Sequence, residues 1–200
     1  MNERIGVFGG SFDPVHTGHK RLADFMIKTL ELDRLIVIPT SMSPFKNSGS
    51  DSADRLAMCR LVFSGEQYEV SDAEVRRGGT SYTIDTLTEL KKQHPEDKMF
   101  YIVGSDQLMS FDRWMRWQDI LSIVTLVAVA RDGEVTTADL NDFADKVLRP
   151  AGEILVTEYE PFVISSTQIR GKAAAGEDIT PFVGEKVAEY ISARGLYSGL

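Results

Sequence analysis

The stretch Gly9-Gly10-Ser11-Phe12-Asp13-Pro14-Val15-His16-Thr17-Gly18-His19 constrains the chain more than any other, because it joins two segments of different periodicity. Before it, Ile5-Gly6-Val7-Phe8 is short, apolar and β-prone; after it, Leu22, Phe25, Met26 and Leu30 recur at helical spacing. The stretch therefore turns a buried strand into a helix. Adjacent glycines let the backbone turn sharply and approach a ligand closely. The helix that follows aims its free N–H groups and positive dipole end at whatever sits there, so the expected guest is an anion. With the helix starting near Thr17, His16 and His19 can face one pocket, with Gly18 leaving room between them, and two imidazoles then face one phosphate chain. A glycine pair before a helix also occurs as an ordinary turn, and a His-x-x-His pair also serves metals. Here no Glu stands between the two histidines and no third histidine lies nearby.

Length and composition bound the rest. Two hundred residues with 42% hydrophobic and 26% charged content fit a single α/β domain over residues 1–200. One cysteine, Cys59, excludes an internal disulfide framework and a multi-cysteine metal site, and is expected in the core. No apolar run approaches membrane-spanning length, and a strand begins within four residues of Met1, so a cytoplasmic protein without a membrane partner is expected. A net charge of −8 disfavours nucleic acid, which needs a broad basic stripe. Lys20, Arg21, Lys46, Arg170 and Lys172 nevertheless gather near the candidate site, where a small anion could use their field.

Further along, Leu35-Ile36-Val37-Ile38 reads as a second buried strand ended by Pro39, which completes a right-handed parallel βαβ unit. The polar stretch 40–50, containing Lys46, reads as an active-site loop or lid. Asp51 or Ser52 caps a helix whose apolar face is Leu56, Cys59, Val62 and Phe63. Tyr68 to Val75 alternates as a strand does, and Gly78-Gly79-Thr80 then approaches a helix capped by Ser81 or Thr83 and buried through Ile84, Leu87 and Leu90. Met99 to Val103 is the strongest strand and runs into Gly104-Ser105-Asp106; ligands of open parallel sheets bind outside such carboxyl ends. Trp114 and Trp117 stand among charges, which suits one core residue and one stacking wall for a planar ring. Ile123 to Ala130 and Glu153 to Val156 complete the strands, with a peripheral helix over Ala138 to Leu148 between them. Ile164-Ser165-Ser166-Thr167-Gln168-Ile169-Arg170 places a serine cap and free N–H groups at a helix start, with an arginine fork one turn in. A last helix, Val183 to Arg194, stops at Gly195 as a glycine cap would stop it.

The first stretch together with Ile164 to Arg170 resembles the paired signatures of the nucleotidylyltransferase superfamily, the first being of the T/HxGH type. Tyr82-Thr83, Gly104-Ser105-Asp106, Trp114 and Gly195-Leu196-Tyr197 make the chain similar, along nearly its whole length, to the bacterial nicotinate-nucleotide adenylyltransferases. The resemblance implies an α/β fold, a Rossmann-like doubly wound parallel sheet of five or six strands flanked by helices. It implies transfer of AMP from ATP to the 5′-phosphate of nicotinate mononucleotide, with Mg²⁺ carried on the ATP, giving deamido-NAD and pyrophosphate without a covalent enzyme intermediate. In that reading His16, His19, Lys46 and Arg170 are catalytic. Gly9, Gly10, Ser11, Phe12, Gly104, Asp106, Ser165, Ser166 and Thr167 hold ATP, and Tyr82, Thr83, Trp114, Met115 and Arg131 hold the mononucleotide. The resemblance leaves a homo-oligomer open.

The chain departs from the family pattern on the mononucleotide side. Ser43-Pro44-Phe45-Lys46 stands where Pro-Pro-His-Lys or Pro-Pro-His-Arg is usual, Asp132 takes the usual proline position after Arg131, and Thr40-Ser41 replaces an Asn-rich stretch. Two other readings stay open: a related transferase acting on the amidated mononucleotide or on phosphopantetheine, and a non-catalytic nucleotide-binding protein.

Overall fold

Alternation along β1 (Arg4–Gly10) sends Ile5 and Val7 to one side of a sheet and Phe8 to the other, all of them buried. The structure, a computed structural model, describes residues 2–42, 49–130, 135–160 and 164–198. Its other strands are β2 (Arg34–Pro39), β3 (Tyr68–Val70), β4 (Lys98–Gly104), β5 (Thr125–Ala130) and β6 (Ile154–Glu158). They form one six-stranded sheet in the order β3-β2-β1-β4-β5-β6, with every neighbouring pair parallel. This is the doubly wound arrangement, at the six-stranded end of the expected range.

The helices follow in chain order as α1 (Thr17–Thr29), α2 (Ser52–Val62), α3 (Ala73–Arg77), α4 (Thr83–Gln93), α5 (Ser105–Leu108), α6 (Trp117–Ile123), α7 (Thr137–Phe143), α8 (Ser166–Ala174), α9 (Thr180–Val183) and α10 (Glu185–Ala193). Leu22, Met26, Met58, Cys59, Ile169, Val187 and Ile191 bring α1, α2, α8 and α10 to the face of the sheet that carries Phe8. Ile84, Leu87, Ile120, Leu121 and Leu140 bring α4, α6 and α7 to the face that carries Val7. Both faces of the parallel sheet are thus covered, which is why its strands read as continuous apolar runs rather than as half-polar alternation.

Strand order reverses between β1 and β4, and the ladder there is short. β1 stays paired with β2 as far as Gly10 opposite Pro39, and β4 with β5 as far as Gly104 opposite Val129. The β1–β4 register ends at Val7 opposite Tyr101. The last three residues of the two central strands therefore part, and a crevice opens at the carboxyl edge where open parallel sheets bind their ligands.

Several local expectations change. The Tyr68 to Val75 strand stops at Val70, because β3 is an edge strand held only by β2, and Ala73–Arg77 turns into α3 with Arg76 N–H bonded to the carbonyl of Asp72. The segment after Phe143 continues as a π-helical turn over Ala144–Leu148, and Leu140, Ala144 and Leu148 are fully buried, so this element is part of the core rather than peripheral. Gly184, at φ 80°, separates α9 from α10 where one helix was expected to begin. Tyr82, rather than Ser81 or Thr83, holds the cap position of α4.

Candidate active site

The turn between β1 and α1 is built from its own side chains. Phe12 lies in the left-handed region at φ 50°, and the Asp13–Pro14 peptide bond is cis. His16 is the N-cap of α1 and His19 stands at its third position, where Nδ1 accepts a hydrogen bond from the His16 backbone N–H at 3.2 Å. An Nδ1 that accepts leaves the proton of a neutral ring on Nε2, so His19 presents an Nε2–H donor. The two rings stack with centroids 3.7 Å apart, and Phe12 meets the His19 ring edge-on at 5.0 Å. His16 is buried and His19 half-buried, each ring packed against its neighbours in the turn.

A segment about 150 residues later closes on this turn. Ser165 caps α8, its hydroxyl accepting from the Gln168 N–H at 3.2 Å. The Ser166 hydroxyl donates to the carbonyl of Pro14 at 3.0 Å, and Arg170 Nη1 donates to the carbonyl of Asp13 at 2.7 Å. Arg170 Nη2 also reaches Thr167 Oγ1 at 3.3 Å. The amino ends of α1 and α8 are therefore bolted to one loop, which brings Gly9 to His19 and Ser165 to Arg170 together in one corner, where two helix amino ends meet as an anion would require.

Beneath that corner lie charges that sequence reasoning missed. Asp13 is 4% exposed; its carboxylate accepts from Ser50 Oγ at 2.5 Å, Tyr197 Oη at 2.8 Å and the Gly49 N–H at 2.6 Å. Arg55 is 1% exposed and donates to the carbonyls of Ser11 and Ser41 at 2.8 Å each. Burial lowers the Arg55 pKa, with the Asp13 charge acting in the opposite sense. A signal for Arg55 existed: it stands three and four residues before Met58 and Cys59, both fully buried, so it shares their inward side of α2.

The β4 side of the crevice carries the other expected residues. Gly104 is the N-cap of the short α5, and Asp106 is exposed in its first turn. Trp114 is half-buried, with its ring 5.0 Å from that of Phe111 and 6.2 Å from that of Tyr101. Tyr82 and Thr83 are half-buried at the start of α4, and Met115 is 51% exposed. Met42 pairs with Thr80, and the Ser81 N–H donates to the Met42 carbonyl at 2.9 Å, which draws the loop after β2 alongside the loop before α4. Lys46 and Arg131, with Phe45 and Asp132, lie outside the described residues.

Not all of the expected basic cluster reaches the corner. Lys20 is bonded to Asp24 at 2.5 Å and lies over the Tyr68 ring, while Lys172 pairs with Glu177 at 2.5 Å. Of that cluster, Arg170 is seen to bond the turn, which Arg55 bonds as well. Among the described residues, no group of three His, Cys, Asp or Glu side chains is placed to hold a metal ion.

Tyr101 links the two sides. It is buried, which pushes its phenol pKa up to about 12, with the Thr83 hydroxyl opposing and the Glu74 charge adding to the rise, and its oxygen lies 2.9 Å from where a Cβ on Gly9 would stand. Gly9→Ala is expected to force the rigid ring back, lowering stability by roughly 1–3 kcal/mol and kcat by about tenfold. Thermal unfolding and steady-state rates check this, and adding Tyr101→Phe should restore much of both. A Gly9→Ala protein as stable and active as the parent would sink the close-approach account.

Comparison with known proteins follows the same lines. A cytidylyltransferase-like family model matches residues 7–172. A Thermotoga maritima protein described as "probable nicotinate-nucleotide adenylyltransferase" is 40% identical over 189 residues, spanning 94% of this chain and 90% of that protein. A relative of the same description from Gemmatimonas aurantiaca is 38% identical over 196 residues, spanning 97% of this chain and 92% of its own. Among solved structures, the Plasmodium falciparum nicotinic acid mononucleotide adenylyltransferase complexed with NaAD superimposes with a TM-score of 0.81 over 98% of both chains. Its sequence identity is 17%, so that likeness speaks for the fold.

Proposed function

We infer, since the chain belongs to the cytidylyltransferase-like family and within it to the nicotinate-nucleotide adenylyltransferases, that its anion-binding corner is where ATP and nicotinate mononucleotide are joined. The enzyme adenylylates nicotinate mononucleotide from ATP, a step of NAD biosynthesis. In the proposed mechanism an oxygen of the mononucleotide 5′-phosphate attacks the α-phosphorus of ATP in line. One P–O bond forms, the α–β bridging bond breaks, and its electron pair leaves with pyrophosphate, giving deamido-NAD. The nucleophile is already an anion, so no protein base or nucleophile is required, and catalysis rests on positioning and on charge placed where it develops.

The observation that carries this reading is the common anchor of α1 and α8: the His16–His19 stack and Arg170 are held on a single turn. His19, through Nε2–H, and His16 donate to the ATP phosphates. Ser165, Ser166 and Thr167, at the amino end of α8, hold the β and γ phosphates, and Arg170 offsets charge on the departing pyrophosphate. Gly9, Gly10, Ser11 and Phe12, with Gly104 and Asp106 across the crevice, form the remaining ATP contacts. Lys46 completes the cationic set. On the β4 side Trp114 stacks on the pyridine ring, the backbone at Tyr82, Thr83 and Met115 receives the nicotinate carboxylate, and Arg131, outside the described residues, is assigned to the mononucleotide by the family resemblance.

Mg²⁺ is proposed to arrive with ATP, since the described residues offer no three-ligand cluster and hard phosphate oxygens with water suit it. It would offset phosphate charge there. The remaining proposals are a single nucleotidylyltransferase domain over residues 1–200, small molecules rather than nucleic acid as partners at a net charge of −8, and room for a homo-oligomer. No helix among the described residues is long and apolar enough to cross a membrane.

Pyrophosphate release from ATP and Mg²⁺ tests the acceptor. Nicotinate mononucleotide is expected to exceed nicotinamide mononucleotide by about 10²-fold in kcat/KM, because backbone donors aimed at a carboxylate are left imperfectly matched by an amide. Equal use of acid and amide would overturn the assignment at Tyr82 and Thr83. Preference for phosphopantetheine would overturn the second substrate and leave the ATP corner.

A further inference from the structure

The charges beneath the phosphate turn hold more than the turn. Arg55 uses all three of its guanidinium nitrogens on backbone carbonyls: Nη1 on Ser11 and Nη2 on Ser41, both at 2.8 Å, and Nε on Ser50 at 3.3 Å. Those carbonyls belong to three separate stretches, namely the turn after β1 and the stems on either side of residues 43–48. Asp13 holds the second stem again, through the Gly49 N–H and the Ser50 hydroxyl, and takes the Tyr197 hydroxyl from a turn 184 residues away. The same carboxylate lies 3.9 Å from Arg170 Nη1.

Packing alone does not account for this arrangement. A buried guanidinium and carboxylate contribute less to stability than apolar groups of the same size would. They give instead fixed directions, because a planar fork satisfies carbonyls only where they lie in its plane. Tyr197 itself stands in the left-handed region at φ 63°, so the chain adopts an uncommon backbone conformation where its hydroxyl reaches Asp13.

We propose that Arg55 and Asp13 are positioning residues for the adenylyl transfer: they set the phosphate turn and both stems of residues 43–48 as one unit, and Tyr197 locks that unit from the carboxyl-terminal turn. The proposal rests on the adenylyltransferase reading of the corner above.

Arg55→Lys and Tyr197→Phe test it in the full chain. Lysine keeps the charge and loses the fork; phenylalanine keeps the buried ring and loses only the hydroxyl, so it remains readable if the lysine variant does not fold. The expected kcat loss is about tenfold for Arg55→Lys and about threefold for Tyr197→Phe, with binding of an unreactive ATP analogue changed by less than about twofold. Limited trypsin digestion should show cleavage after Lys46 accelerated about fivefold in both variants, with other sites unchanged, since only the stems are released. Unchanged kcat and unchanged cleavage in Tyr197→Phe would overturn the proposal. Faster cleavage at every site alike would also overturn it, because that is general loss of stability. If the parent released no pyrophosphate with any acceptor, the adenylyltransferase reading would fail separately, and the digestion pattern would still judge the unit.

Discussion

His19→Ala is expected to lower kcat by about a hundredfold while ATP affinity changes by less than about threefold, as removal of a single preorganised donor to a developing charge does. The argument starts from the ring itself. Its Nδ1 is committed to the His16 N–H, so its Nε2–H is aimed by the helix cap, and the ring packs between the Phe12 edge and the His16 ring. In the proposed mechanism a donor fixed in that way meets the charge that grows on the phosphates as the bridging bond breaks. The substitution also removes the acceptor for the His16 N–H, one half of the capping box, which costs about 0.5–1.5 kcal/mol of stability. His19→Gln separates the two effects. A glutamine at this third helical position can still accept from the cap N–H, so stability should return while kcat stays low. Losses of kcat and ATP affinity in equal measure would show that His19 binds only the ground state.

Arg170→Ala should be the more damaging change, lowering kcat by about 10²–10³-fold. Arg170 acts twice: its fork secures the Asp13 carbonyl and Thr167, and its charge faces the pyrophosphate side in the proposed mechanism. Truncation therefore leaves the carbonyl of Asp13 without its charged donor and removes the cation from the leaving group, two losses that reinforce each other. Arg170→Lys should recover about tenfold through its charge alone, and the remainder measures what the planar fork contributes. Single-turnover AMP transfer with saturating ATP is the measurement. Lysine fully restoring the rate would show that charge without geometry is enough, and would remove Arg170 from the bolting of α8 to the turn.

The turn between β1 and α1 was legible in the sequence because its parts are local. A strand ending in Gly9-Gly10, a helix starting at Thr17 and two histidines three residues apart depend on backbone sterics, capping and helical phase, each set within about ten residues. Ser165 to Arg170 was readable for the same reason, as a capped helix start with an arginine one turn in. Where local signals were weak, the sequence reading failed. Tyr68 to Val75 alternates, yet only Tyr68–Val70 finds a partner, since β2 offers the sole neighbouring edge and the chain then turns into α3.

What the sequence by itself determined is the main strands, the helices that begin at Thr17 and Ser166, and the family to which they point. Tertiary structure alone decided which ends meet. The parting of β1 from β4 beyond Val7 and Tyr101 depends on sheet order, and Asp13 meets Tyr197 only because α10 packs back on the face that holds α1 and α2. Arg55 shows the division most clearly. Its side of the helix was available from the spacing to Met58 and Cys59, but its three carbonyl partners come from stretches with no mutual periodicity. No local propensity encodes such a meeting. It arises from burial, which brings the stretches together and leaves their carbonyls needing donors once water is excluded.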